Sequence, residues 1–243
     1  MSKRQELRER ARKKQNRNRL LIIVSVTVVA LVIALILILP NLQSTSPSSV
    51  IQITPIAKTI QVNKTSMGNP AALVKMDVWE DFQCSGCLSY SQNVEPQVLQ
   101  TYVETGKVYY TFHTYPFIDG GVGESHDSAN AAMCAAAQER FWDFHAITFA
   151  NWKGENVGSF TKSRLVAFAQ SIGLDMNAFN QCFQADTYAA QIQSDMDAGT
   201  KLGVPPTPGI FVNGVMVPSS AGQNYLPTFA DVAKVIEAGL SGK

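Results

Sequence analysis

Two cysteines three positions apart, Cys84 and Cys87, are the residues of this chain best suited to chemistry. They follow an apolar run at 73–79 that predicts a buried strand, and they open a segment with a helical pattern. Cys84 would lie on the first helical turn, where free N–H groups and the helix dipole lower a thiol pKa. Cys87 would then resolve a mixed disulfide formed at Cys84. The spacing alone also permits a structural disulfide or half of a zinc site.

The N-terminal residues indicate the compartment. Residues 1–19 carry nine Lys/Arg and two Glu, whereas residues 20–39 carry no charge. Twenty apolar residues reach across the roughly 30 Å hydrocarbon core of a bilayer. We therefore predict a transmembrane helix at 20–39 with a cytoplasmic basic segment at 1–19, and a cleaved signal peptide is the alternative. Everything after the span is expected outside the membrane, where disulfides persist.

Charge argues against a nucleic-acid partner. The overall charge is +1, but the basic head alone carries +7 and the rest of the chain −6. The exported part therefore has no basic surface of the kind that binds nucleic acid. The basic head is better explained as a topology signal that is attracted to anionic lipid.

The order of elements predicts an α/β domain. Residues 40–58 are rich in Ser, Thr and Pro and read as a linker. A short edge strand at 59–62, a turn at 67–70, a strand at 73–79, a helix at 84–104 kinked by Pro96 and a strand at 107–113 form a β-α-β unit. A helical block follows at about 120–202. Two strands around Asn213-Gly214 form a hairpin, and a last helix occupies 227–238.

The segment at 203–209 is the second unusual motif. It contains three prolines in four residues at the head of a strand, where a cis bond in a tight turn is a candidate. With the other motifs it resembles the thioredoxin fold, specifically the DsbA-like thiol-disulfide oxidoreductases of bacterial envelopes. The resemblance covers about 59–240. Its motifs are Met-Gly-Asn-Pro at 67–70, Glu-Asp-Phe-Gln-Cys-Ser-Gly-Cys at 80–87, Phe-Trp-Asp-Phe-His at 141–145 and Gly-Val…Thr-Pro…Phe-Val-Asn-Gly at 203–214.

The resemblance implies a thioredoxin fold with an inserted helical domain at about 120–202 of a 59–243 domain, preceded by one transmembrane helix. It also implies roles. Cys84 is the attacking thiol and Cys87 the buried one, Pro208 is the cis-proline packed against them, and the Thr207 backbone pairs with the substrate chain. Two features depart from the family pattern: the dipeptide between the cysteines is Ser-Gly, and the position of a buried proton-shuttling Glu is occupied by Val78. Glu80, at the end of the strand, is the replacement candidate, and a solvated carboxylate without a role is the alternative.

The remaining two cysteines, Cys134 and Cys182, lie on different predicted helices. In an oxidising compartment an even number of cysteines invites a bridge. Similar proteins often have cysteines at both places, so we expect a structural disulfide that pins the helical block. A second redox pair and two buried free thiols are the alternatives.

These observations predict an extracytoplasmic enzyme that introduces disulfides into exported proteins through Cys84 and Cys87. The expected partners are exported cysteine-containing proteins, a quinone-linked membrane reoxidase and the membrane itself. We expect a monomer with no nucleic acid, no metal and no cofactor. A thiol reductase or isomerase on the same fold is the first alternative. A noncatalytic zinc-binding or scaffold domain built on the four cysteines is the second.

Overall fold

The computed structural model describes residues 24–28, 50–55, 60–222 and 226–242. The chain divides into two compact units, Met1–Ser44 and Thr45–Lys243. In the first unit, the described residues 24–28 are helical and exposed. The rest of the predicted span at 20–39 and the basic segment at 1–19 lie outside the described residues. Within the described ranges, no helix is both long enough and apolar enough to cross a bilayer.

The second unit is built on a sheet with the strand order β1-β2-β4-β3-β5-β6. The strands are β1 (Val62–Asn63), β2 (Ser66–Gly68), β3 (Val74–Glu80), β4 (Val108–Thr114), β5 (Gly209–Val212) and β6 (Val215–Met216). The central strands β3 and β4 run parallel, as the β-α-β pattern predicts, and the other neighbouring pairs are antiparallel. The central strand β3 has other strands on both sides, so its apolar residues are buried on pairing.

The edge of the sheet differs from the prediction. The expected strand at 59–62 is only the two residues of β1, and the expected turn at 67–70 begins as strand β2. Gly68 belongs to this strand with a φ of +95°, and a β-carbon there would lie 2.6 Å from the carbonyl oxygen of Val108. Only glycine allows the two backbones to approach so closely. The turn follows one residue later, where the Ala72 N–H donates to the Asn69 carbonyl.

The helix after the cysteines is broken as Pro96 predicts. Helix α1 (Ser85–Asn93) ends at Val94, and a short helix α2 (Glu95–Val98) starts with Pro96 in its first turn. A π-helical turn, Leu99–Val103, completes the segment. Proline lacks the N–H that would continue the hydrogen-bond ladder of α1, so the chain bends there.

Five helices form the predicted helical block. They are α3 (Glu124–Ala136), α4 (Phe141–Ala150), α5 (Lys162–Ser171), α6 (Met176–Gln184) and α7 (Ala189–Leu202). Asp175 caps α6 by accepting hydrogen bonds from the N–H groups of Asn177 and Ala178. Cys134 of α3 and Cys182 of α6 are joined in a disulfide with a Cα–Cα distance of 5.9 Å. The bridge ties two helices of the insertion together.

The C-terminal elements match the hairpin prediction. Asn213 and Gly214 join β5 to β6 with φ values of 49° and 78°, the two positive angles that a type I′ turn requires. Helix α8 (Phe229–Leu240) begins with a capping box formed by Thr228 and Asp231. It packs against α2 and the central strands, so it closes one face of the sheet.

Candidate active site

The two free thiols lie at the start of α1, shortly after the end of β3. Cys84 is the N-cap residue of α1, with an extended backbone, and Cys87 lies one turn further along the helix. Cys84 is 8 % exposed and Cys87 is fully buried. A substrate thiolate can therefore reach only Cys84. This asymmetry is what an attacking thiol and a resolving thiol require.

The proline segment, residues 203–209, covers the thiol of Cys84. The Thr207–Pro208 peptide bond is cis, and the Cys84 thiol donates a hydrogen bond to the Thr207 carbonyl oxygen at 3.3 Å. A β-carbon on Gly86 would lie 3.1 Å from that same oxygen and 3.5 Å from the Cys84 sulfur. The small residue between the cysteines therefore lets the proline segment approach the redox pair.

The surroundings of Cys84 favour its thiolate. Its pKa falls from 9.0 to about 6, first because the Cys87 thiol donates a hydrogen bond to it, while burial opposes the shift. The otherwise unpartnered hydroxyl of Thr207 and the backbone N–H groups of Cys87 and Gly86 lower the pKa further. The two N–H groups belong to the first turn of α1, so the helix start takes the place of a basic side chain.

The pKa of Cys87 is shifted in the opposite direction. Burial is the main cause that raises its pKa well above 9.0, followed by its hydrogen bond to Cys84 and by the negative charge of Glu80. The buried thiol therefore keeps its proton while Cys84 ionises. A proton must still reach or leave Cys87 when its disulfide opens or closes.

Glu80 is the acidic group next to Cys87. Val78 and Glu80 are two positions apart on β3, so both side chains project from the same face of the sheet. Asp77 points the other way and contacts His113 at 2.9 Å. Glu80 is 1 % exposed, and within the described ranges neither of its carboxylate oxygens has a partner with hydrogen-bond geometry. Burial raises its pKa well above 4.5, the nearby Glu95 and Cys84 add to the shift, and the Cys87 thiol partly offsets it.

Two more buried ionisable residues extend this group and were not predicted from the sequence. One ligand-type atom each from Glu80, Glu95 and His145 lies within 4.8 Å of the others. Glu95 accepts hydrogen bonds from the hydroxyls of Tyr110 at 3.0 Å and Ser91 at 3.3 Å. Burial raises the pKa of Glu95 to about 7 and lowers the pKa of His145 to about 3. Glu95 gave no signal in the sequence beyond an acidic residue at a helix start, which is common for dipole reasons alone.

The loops around Cys84 are held by two buried polar residues of the motif at 80–87 whose role was not predicted from the sequence. Asp81 accepts hydrogen bonds from the backbone N–H groups of Gln83, Phe117 and Ile118 at 2.9–3.0 Å. The side chain of Gln83 donates to Ser125 at 2.9 Å and binds the backbone N–H of Asn156 at 2.6 Å. These bonds fix the strand end to the helical insertion, so the insertion positions the cysteines as well as covering them.

The four-cysteine zinc site that was predicted as an alternative is not available, because Cys134 and Cys182 are joined to each other. The Glu80, Glu95 and His145 group has residue types that bind cations, and burial raises the pKa of both carboxyl groups.

Fold and site together define a thioredoxin-like redox domain. A family model described as Thioredoxin matches residues 61–238, and the chain belongs to this family. The "Probable disulfide bond formation protein D" of Bacillus cereus is 26 % identical over 151 residues, which are 61 % of this chain and 69 % of that protein. The "Disulfide bond formation protein D" of Bacillus subtilis is 22 % identical over 185 residues, 73 % of this chain and 77 % of that protein.

The solved structures agree on the fold. The crystal structure of oxidised BdbD from Bacillus subtilis superposes with a TM-score of 0.65 at 21 % identity, covering 79 % of this chain and 99 % of that one. At this identity the likeness concerns the fold. The predicted thioredoxin fold with a helical insertion is thus confirmed.

Proposed function

We propose that this chain is an extracytoplasmic thiol-disulfide oxidoreductase that introduces disulfide bonds into exported proteins through Cys84 and Cys87. Its family and the names of its relatives support an enzyme of this class. The observation that carries the direction of electron flow is the pKa of Cys84, which falls to about 6. A stabilised thiolate stabilises the reduced pair, and a pair whose reduced form is stable oxidises its substrates.

Each residue has a role in this proposal. A substrate thiolate attacks the Cys84 sulfur of the oxidised pair, and Cys87 leaves and takes up a proton. The second substrate thiol then attacks the mixed disulfide, and Cys84 leaves as a thiolate that the start of α1 stabilises. Thr207 and Pro208 shape the surface on which the substrate chain lies, and Glu80 exchanges the proton of Cys87. Cys134 and Cys182 hold the insertion and take no part in the electron transfer.

The location and partners belong to the same proposal. The charge-free segment at 20–39 behind nine basic residues supports a single-pass anchor with the basic end in the cytoplasm. The 40–58 segment then tethers a monomeric domain outside the membrane. The reduced enzyme needs an oxidant, and a quinone-linked membrane protein is the class of partner that an anchored domain can reach.

The reduction potential of the Cys84–Cys87 pair tests the proposal. The protein is equilibrated in glutathione buffers, and the oxidised fraction is counted by mass after alkylation of the free thiols. A double variant, Cys84→Ser with Cys87→Ser, is the control, because it retains only the bridged Cys134 and Cys182 and should show no titration. We expect a potential clearly above the roughly −270 mV of thioredoxin, in the direction of the roughly −120 mV of strongly oxidising thiol pairs.

A potential near roughly −270 mV would reverse the direction and make the protein a thiol reductase. Anchoring is tested separately by carbonate extraction of cell membranes. A variant whose 20–39 segment carries three added Lys residues should lose its membrane fraction if that segment is the anchor.

A further inference from the structure

A cavity of about 320 Å³ leads from the surface into the core beside the bend between α1 and α2. Its lining includes the exposed residues Gln92 and Pro96 as well as the buried residues Glu95 and His145, which are 5 % and 2 % exposed. An opening that ends on two buried ionisable side chains can exchange protons with solvent.

The group inside the cavity is continuous with the redox pair. Glu80 lies within 4.8 Å of both Glu95 and His145, and its other neighbour is Cys87. A separation of this size is what one water molecule bridges, since two hydrogen bonds of about 2.8 Å at a tetrahedral angle span roughly 4.6 Å. Both carboxylate oxygens of Glu80 and Nε2 of His145 have no hydrogen-bond partner among the residues that the structure describes, so they can bind such a molecule.

The opposite side of Cys87 lies towards Cys84 and the bound substrate. Cys87 is fully buried, and the side facing the substrate is covered by Cys84 and by the proline segment around Thr207. During turnover that side is also occupied by the substrate chain. A proton that moves to or from Cys87 therefore needs a path through the interior.

We propose that Glu95 is a second proton-transfer residue, which passes the proton of Cys87 between Glu80 and solvent through the cavity. The inference rests on the proposed function and adds to it a second proton-transfer residue and a route by which the proton reaches solvent. His145 lines one wall of the path, with Nε2 of its neutral ring 3.9 Å from Oε1 of Glu95. Tyr110 and Ser91 keep the Glu95 carboxyl group oriented through their hydroxyls.

The proton balance is complete along this path. When a substrate thiolate attacks Cys84, the Cys84–Cys87 bond breaks, and the Cys87 sulfur leaves with the electron pair. It takes a proton from Glu80, Glu80 takes one from Glu95, and Glu95 takes one from solvent in the cavity. On reoxidation the order reverses: Cys87 loses its proton to Glu80, and its thiolate attacks Cys84 in the mixed disulfide with the oxidant, whose other sulfur leaves with the electron pair.

Among the ionisable groups around Glu95, its own carboxyl group is the one that exchanges a proton with solvent near neutral pH. The titratable groups that face it are Glu80 from β3, Tyr110 from β4, Tyr90 from α1 and His145 from α4. Both tyrosines have a pKa raised by burial, and His145 stays neutral, so none of them changes charge near neutral pH. Helix α8 packs on the other side of α2, where Glu237 contacts Tyr102 instead. Among the described residues, no Lys or Arg forms an ion pair with Glu80 or Glu95.

The test follows the step in which Cys87 must lose its proton. The full chain, purified in detergent and reduced, is mixed with oxidised glutathione, which forms a mixed disulfide at Cys84. The release of that glutathione by Cys87 is then timed by acid quench and mass measurement from pH 5 to 9. This step does not depend on the direction of electron flow in the cell, so it can fail independently of the proposed function, which the reduction potential tests.

In the wild type we expect the release rate to rise through about pH 7 and then level off. Glu95→Gln keeps the shape of the side chain but cannot carry the proton, and it should slow the step at pH 7 by about 10-fold and remove the inflection. The control is Glu104→Gln, the same substitution at an exposed carboxyl group that does not line the cavity. It should keep the wild-type profile.

A second variant tests the exit without touching a carboxyl group. Ala146 lines the cavity, and Ala146→Leu should fill it and slow the release at every pH. Unchanged profiles in Glu95→Gln, or an unaffected rate in Ala146→Leu, would overturn the proposal.

Discussion

The Cys84 thiol donates a hydrogen bond of 3.3 Å to the carbonyl oxygen of Thr207, a residue 123 positions further along the chain. The contact joins the start of α1 to the segment that leads into β5, and the whole helical insertion lies between them in sequence. Any change that moves β5 relative to β3 therefore changes the surroundings of the attacking thiol. The antiparallel pairing of Trp79 with Gly209 brings these two segments together.

The first prediction concerns ionisation of Cys84. Because the Cys87 thiol, the Thr207 hydroxyl and the first N–H groups of α1 stabilise the thiolate, alkylation of reduced protein by iodoacetamide should be half-maximal near pH 6. Thr207→Val removes the hydroxyl and should move this midpoint upward, while Thr105→Val, a distant threonine, should leave it in place. A midpoint near 8.5, that of an ordinary thiol, would contradict the stabilisation.

The second prediction concerns stability and pH. Glu95 has a pKa of about 7 in the folded protein against 4.5 unfolded, so folding binds its proton more tightly. The stability that this proton contributes is complete below about pH 4.5 and is lost as the pH rises through about 7. Relative to wild type, Glu95→Gln should therefore gain unfolding free energy between pH 5 and 8, on the order of 2 kcal/mol.

Urea unfolding at several pH values measures this difference. Comparing variant with wild type at each pH cancels groups that both share, such as His145, whose lowered pKa weakens the fold in acid. Any constant cost of losing a hydrogen bond also drops out, because only the slope matters. If the unfolding free energies of Glu95→Gln and the wild type changed in parallel with pH, Glu95 would ionise in the folded protein as it does in water.

The third prediction concerns the disulfide of the insertion. Cys134 and Cys182 are separated by 48 residues, and bridging a loop of that length stabilises a protein by roughly 3–4 kcal/mol in the chain-entropy model. The double variant Cys134→Ala and Cys182→Ala should lose about that much unfolding free energy. Its Cys84–Cys87 potential should stay within experimental error of the wild type, since the bridge lies between α3 and α6. A large change in potential would assign the bridge a redox role.

Local patterns predicted much of the second unit. The β-α-β unit, the break at Pro96 and the hairpin at Asn213 depend on one or a few neighbouring residues, so their signals survive in the sequence. The prediction was less accurate at the edge of the sheet. The sequence around Gly68 indicates a turn, whereas in the structure Gly68 lets β2 approach the carbonyl group of Val108. That requirement comes from a residue forty positions away, and no local pattern carries it.

The same contrast applies to the active site, where residues with a local signal were predicted and residues brought together only by the fold were not. Cys84 and Cys87 were identifiable because their chemistry resides in their spacing. Glu80 was a candidate only through its nearness to the cysteines, and its burial could not be read from an acidic residue at a strand end. Glu95 and His145 come from separate helices, and they meet Glu80 only after α2 bends and α4 packs on the sheet.

The last prediction concerns Asp81, which belongs to the motif at 80–87 but was given no role in the sequence analysis. Its two carboxylate oxygens accept three backbone N–H bonds and the Ser125 hydroxyl, and the residue is 1 % exposed. In Asp81→Asn, the amide NH₂ must face at least one backbone N–H, so a donor meets a donor in the core. Each buried donor left without an acceptor costs about 1–3 kcal/mol, and we expect a loss in that range or above it.

Asp175→Asn is the matched control, because an asparagine oxygen caps a helix as well as an aspartate oxygen does. Thermal unfolding of both variants should separate them, with Asp175→Asn close to wild type. Asp81 also fixes the segment that contains Phe117 and Ile118, so the alkylation midpoint of Cys84 should become less sharply defined in Asp81→Asn as that segment loosens. Equal stability of the two variants would mean that water replaces the lost acceptor, and that the strand end is held by Gln83 alone.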